Sequence, residues 1–254
     1  MTDTAVLCAF SFLAGLIDSV AGGGGLIQLP ALLIVLPHYP VATLFGTNKL
    51  SSICGTSIAS VQYARHVGIL WKATLPATTA ALIFSFLGAR TVSLMDPGIM
   101  RPLVLFLLVG IAIYTFIQKD FGSLHLPKLA ARGQLIYGVL TGTVIGFYDG
   151  FFGPGTGSFL IFVFISLFGF SFLAASASAK VVNFATNLSA LLFFVFTDNV
   201  LYKFAIPMAA CNIAGSLIGT RLAILRGNKF VRILFLIVVS ALILKLAHDT
   251  LGLH

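Results

Sequence analysis

Two lysines and two aspartates stand where charge is costly. Lys49 and Lys180 lie near the predicted starts of helices in apolar sequence, and Asp18 and Asp149 are the acids placed well inside it. An ammonium within a bilayer costs several kcal/mol unless it is paired or wetted. Ser52 and Thr56 follow Lys49 at i+3 and i+7, and Asn183 and Asn187 follow Lys180 at the same spacing. Each lysine therefore shares a helical face with two neutral hydrogen-bonding groups. Such a face predicts an anion cradle. Two alternatives stand beside it: ion pairing with Asp18 and Asp149, fixed or opening during a transport cycle, and snorkelling of the lysines to the interface. The aspartates have three open roles: carrying a proton, pairing with the lysines, or capping a short helix.

Glycine runs form the second feature. The first reads Gly15-Leu-Ile-Asp18-Ser-Val-Ala-Gly22-Gly23-Gly24-Gly25, and the second Gly146-Phe-Tyr-Asp149-Gly-Phe-Phe-Gly153-Pro154-Gly155-Thr156-Gly157-Ser158. Backbone exposed at membrane depth is tolerated where it is buried in protein or lines a cavity. The short helix after each run would aim its N-terminal amides and positive dipole end at the break. The plainer reading is that the glycines only let helices pack closely.

The elements that position these residues are membrane elements. The chain has 254 residues, 59% hydrophobic and 9% charged, with mean hydropathy +1.07. A soluble domain carries about 25% charged residues, so a soluble enzyme, a disordered chain and a disulfide scaffold are excluded. Five apolar segments run over 4–20, 25–37, 43–65, 70–94 and 99–118. Five more run over 134–150, 154–170, 174–197, 199–224 and 229–248. The second of each set is too short to span comfortably. The predicted organisation is a first transmembrane repeat over 1–118, a polar linker over 119–133 and a second repeat over 134–254.

A shift of 131 residues superposes the halves without a gap. Asp18 falls on Asp149, Gly22 on Gly153, Lys49 on Lys180, Lys72 on Lys203 and Arg90 on Arg221. Residues 15–91 and 146–222 hold five charges each. Four coincide in type, against about 0.3 expected by chance, which marks an internal repeat. Five crossings per half predict an inverted second half, and the swap of the positive loop supports it: Arg65, His66 and Lys72 in one half, Arg226, Lys229 and Arg232 in the other. If each short segment dips in and returns, the repeat is parallel instead.

Other residues point to anchoring. Trp71 and Tyr202 correspond, each beside a lysine, and read as an interfacial belt. Cys8, Cys54 and Cys211 have no metal or disulfide spacing, and no histidine pair has ligand spacing, so no metal and no cofactor is expected. Met1 to Cys8 has no basic region, so the first apolar segment is read as retained. The net charge of +8 sits at segment ends and is not read as a nucleic-acid surface. An intramembrane aspartic protease built on Asp18 and Asp149 is a rival reading, but the acids occupy equivalent repeat positions, each before a glycine break.

At these residues the chain resembles the TauE/SafE, or sulfite exporter-like, family of bacterial membrane proteins. The likeness rests on Gly15 to Pro30, Gly46-Thr47-Asn48-Lys49, Gly146 to Ser158, Ala179-Lys180-Val-Val-Asn183-Phe-Ala-Thr-Asn187 and Gly215 to Arg221. It implies a carrier of sulfite, sulfonates or other small organosulfur anions in the cytoplasmic membrane. The second half has Ser178-Ala179 where the first has Thr47-Asn48, so the half-sites are unequal.

The expected protein is an all-α transmembrane bundle of two five-segment repeats with short glycine-broken segments near the midplane. It is read as a secondary transporter acting as an exporter and not an enzyme, with an anion channel or a receptor subunit as the other possibilities. The expected anion-holding residues are Lys49, Lys180, Asn48, Ser52, Thr56, Gly23, Gly24, Gly25, Thr156, Gly157, Asn183 and Asn187. The expected partners are a small anion, the lipid bilayer and a second copy of the chain, with no nucleic acid.

Overall fold

The computed structural model describes residues 2–117 and 129–226. Among these every regular element is a helix: α1 (Thr2–Ala21), α2 (Gly25–Val35), α3 (Val41–His66), α4 (Trp71–Ser93), α5 (Pro97–Ile117), α6 (Ala131–Phe151), α7 (Thr156–Ser166), α8 (Phe172–Phe196) and α9 (Tyr202–Arg226). The tenth predicted segment, 229–248, and most of the linker lie outside the described residues.

Among the described residues four helices are long and apolar enough to cross a membrane: α1, α4, α8 and α9. The two short segments fall where the glycine runs predict. α2 and α7 have 11 residues each. At 1.5 Å per residue each reaches about 16 Å, half of a bilayer's hydrocarbon core. Both begin at glycine breaks, Gly22 and Gly153 having φ of +75° and +93°, which a side chain would strain.

Contacts in one half recur in the other at the 131-residue offset. Gly15 of α1 lies against the Asn212 backbone of α9, and Gly146 of α6 lies against that of Ala81 in α4. The Ser85 hydroxyl of α4 donates to the Thr186 carbonyl of α8 at 2.8 Å, while that of Ser216 in α9 donates to the Gly55 carbonyl of α3 at 2.7 Å. Absent side chains let these backbones touch, as small residues do in bilayers.

Pairing along the helices gives their directions. Gly46 of α3 adjoins Phe194 of α8, and Ser60 bonds the Lys180 carbonyl, so α3 and α8 run antiparallel. Ser11 bonds the Met208 carbonyl and Gly219 abuts Leu16, so α1 runs with α9. Gly138 abuts Ala73 and Gly150 abuts Ser85, so α6 runs with α4. The end holding the C-termini of α1, α3 and α9 gathers Arg65, Lys72, Arg132 and Arg221, with no acid in its described loops. The other end sets Arg90 and Lys203 against Asp3, Asp96 and Asp198. Trp71 and Tyr202 are about half exposed, as a belt requires.

Candidate functional site

Both glycine breaks meet at the centre of the bundle. Gly22 and Gly157 touch so closely that a Cβ on Gly22 would lie 2.2 Å from the Gly157 carbonyl carbon. The Ser158 amide bonds the Gly22 carbonyl at 3.2 Å, and the Ser158 hydroxyl bonds that of Ala21. The glycines let the two breaks approach this closely, and a cavity stands beside the contact. It has about 20 Å³ of free volume, room for a single water. Its walls are formed by Asp18, Asn48, Lys49, Ser52, Thr56, Asp149, Asn183 and Asn187, with the glycine backbones of 22, 25, 153, 155 and 157.

The helical faces predicted from the i+3 and i+7 spacing are the ones turned inward. Asn187 donates to the Asn183 side chain at 3.4 Å. The side-chain oxygen of Asn48, 5% exposed, has no hydrogen-bond partner among the described residues. Among the described residues, no carbonyl outside the helices' own ladders accepts from the amides of Gly25, Gly155 or Gly157. These amides sit at the starts of α2 and α7, where the helix dipoles add partial positive charge.

The four charges resolve into two ion pairs, each joining opposite halves. Lys49 Nζ of α3 lies 2.6 Å from Asp149 Oδ2 of α6. Lys180 Nζ of α8 lies 2.7 Å from Asp18 Oδ2 of α1. Neither lysine snorkels; they are 3% and 1% exposed. Asp18 and Asp149 sit in the last turns of helices that run oppositely, so the pairs lie toward opposite ends of the bundle. Each carboxylate has its own ammonium, which removes the need for the two acids to share a proton as a protease dyad does.

The pairs differ. Lys180 also donates to the Asp18 backbone carbonyl, and Asp18 Oδ1 accepts from the Gly24 amide at 3.4 Å. Lys49 has one acceptor, Asp149, among the described residues, and an ammonium has three N–H groups. The Asp149 side chain is 2% exposed and that of Asp18 18%.

Most of the predicted residues come together, and four do not reach the cavity. Lys180 is turned onto Asp18. Gly24 spends its amide on the Asp18 side chain, and Gly23 is not part of the cavity lining. The Thr156 hydroxyl bonds the Gly153 carbonyl at 2.7 Å and so braces the break. Gly22, Gly153 and Gly155 line the cavity but were absent from the predicted set. The repeat alignment marked them, since Gly22 falls on Gly153 and Gly24 on Gly155. Tyr148, whose hydroxyl bonds the Pro154 carbonyl across the second break, carried no such mark.

Spanning helices around a buried, charged, glycine-lined centre define a multi-pass membrane protein with an internal polar site. The sulfite exporter TauE/SafE family profile matches residues 7–246. The chain is 37% identical over 246 residues to "Probable membrane transporter protein ORF9" of Sinorhizobium sp., covering 96% of this chain and 92% of that protein. It is 32% identical over 250 residues to a "Probable membrane transporter protein" of Haemophilus influenzae, covering 98% and 96%. The "Probable membrane transporter protein YfcA" of Escherichia coli K12 is 32% identical, with 97% and 90% covered. No solved structure matches the chain. The chain belongs to the TauE/SafE family and is a membrane transporter.

Proposed function

We propose that this transporter carries a small anion, of the sulfite, sulfonate or other organosulfur class, across the bacterial cytoplasmic membrane by alternating access. The observation that carries the reading is the Lys49 ammonium in the wall of a cavity whose lining includes Gly25, Gly155 and Gly157, the amides without a carbonyl acceptor among the described residues outside the helices' own ladders. Lys49 supplies the full charge, and the starts of α2 and α7 supply partial charge. Ser52, Thr56, Asn183 and Asn187 orient the oxygens of the anion. The class of anion comes from the family's description.

The mechanism rests on two inverted five-segment repeats. Antiparallel α3 and α8, and contacts that recur at the 131-residue offset, support that arrangement. A cavity with room for one water supports a carrier over a channel, because a sulfonate enters only when one end opens. The positive-inside bias supports a cytoplasmic position for the end carrying Arg65, Lys72, Arg132 and Arg221.

Counterflow in proteoliposomes tests the reading. The panel is sulfite, sulfate, thiosulfate, taurine and sulfoacetate, with acetate and succinate as controls. Saturable counterflow of a sulfur anion, lost in Lys49→Ala, is the expected result. Equal flux of the carboxylates, or flux unchanged in Lys49→Ala, overturns it.

A further inference from the structure

Charge balance at the cavity goes beyond substrate class. The two lysines and two aspartates sum to zero, so the site as it stands is neutral. An anion that takes Lys49 leaves the Asp149 carboxylate without its ammonium. Among the described residues Lys49 is the one hydrogen-bonded partner of that carboxylate, and the side chain is 2% exposed. A buried, unpaired carboxylate is neutralised by a proton.

We propose that a proton is the co-substrate, carried on Asp149 whenever Lys49 holds the anion. The inference rests on the anion reading above. The step balances: anion and proton enter from the same side, Lys49 stays an ammonium, its ion pair passes from Asp149 to the anion, and the proton from solvent bonds an Asp149 oxygen. On release at the other side, Asp149 loses the proton and the pair re-forms. A monoanion crosses without net charge.

The other pair does not take this role. Lys180 lies outside the cavity wall and is held by both the carboxylate and the main-chain carbonyl of Asp18. Asp18 keeps the Gly24 amide and has more solvent contact. Among the described residues the titratable and charged groups facing Asp149 are Lys49 from α3, Tyr148 from its own helix and, in the wall of the same cavity, Asp18 from α1, while packed α4 presents Ala81 and Ser85 to α6. Those facing Asp18 are Lys180 from α8 and Tyr63 from α3.

The test uses purified protein in liposomes, the membrane potential clamped with potassium and valinomycin, and a gradient of one pH unit, inside alkaline. The probes are radiolabelled thiosulfate and sulfoacetate, neither of which titrates near pH 7. One proton per anion accumulates the carried probe about tenfold in the wild type. Asp149→Asn loses the accumulation, while exchange of the probe, slowed by the change in the cavity wall, stays measurable and reports a folded carrier. Asp149→Glu restores it. Exchange without pH-driven accumulation in the wild type overturns the inference and leaves the anion reading standing. So does accumulation that survives in Asp149→Asn. An Asp149→Asn variant that exchanges nothing, beside an Asp149→Glu variant that exchanges without accumulating, also overturns it. Absence of exchange for both probes in the wild type counts against the anion reading, and the inference falls with it.

Discussion

The Lys49–Asp149 and Lys180–Asp18 pairs descend from equivalent positions, yet their surroundings assign them different work. The Lys49 ammonium faces a cavity with one acceptor, whereas Lys180 is tied twice to the end of α1. Inequality extends along the helices. Ser11, Ser51, Gln28 and Asn212 form a buried hydrogen-bonded chain between α1, α2, α3 and α9. Their counterparts at the 131-residue offset are Gly142, Val182, Phe159 and Ala81, which cannot hydrogen-bond through side chains. A repeat can thus keep its backbone architecture while equivalent positions in its two copies take on different work.

The comparison breaks most sharply at the lysines. Lys49→Ala is expected to lower anion flux at least a hundredfold. Removing both charges of the other pair, Lys180→Met with Asp18→Asn, is expected to keep flux within about tenfold of wild type, since replacing a whole buried pair is often near neutral. Flux assays on the two variants check this, and equal losses would erase the distinction. Lys180→Met alone leaves Asp18 without its ammonium and is expected to cost about 3 kcal/mol, measured by thermal unfolding in detergent.

Next in size is the contact between the breaks. Gly22→Ala places a Cβ against the Gly157 backbone at φ +75°. The expected loss is about 3 kcal/mol, seen as a lower melting temperature. Gly68→Ala, also at positive φ but with nothing near it, isolates the backbone strain and is expected to cost about 1 kcal/mol. The smallest effect falls on Asn48, whose orphaned oxygen faces the cavity. Asn48→Ala is expected to change the half-saturation concentration several-fold with little effect on stability.

Much of the helical layout was legible in the sequence, because apolar length and glycine breaks are local properties. α2 and α7 begin at or within two residues of the predicted starts, and the inward faces of α3 and α8 follow from helical spacing alone. Which lysine would meet which aspartate was not legible. Pairing across halves depends on how antiparallel helices stack, and Lys49 lies 100 residues from Asp149. The turn of Lys180 away from the cavity was hidden for the same reason. So was the bracing of the second break by Tyr148, a single side chain with no counterpart in the other half, where Ile17 stands.

The most direct test of the central claim is a thermal-shift measurement on purified wild type, Lys49→Ala and the Lys180→Met, Asp18→Asn double variant, each with the same panel of sulfur anions. A ligand at a hundred times its Kd adds about 2.7 kcal/mol of stability. The account predicts that one anion stabilises the wild type and the double variant and leaves Lys49→Ala unmoved. Equal stabilisation of Lys49→Ala by that anion would contradict it.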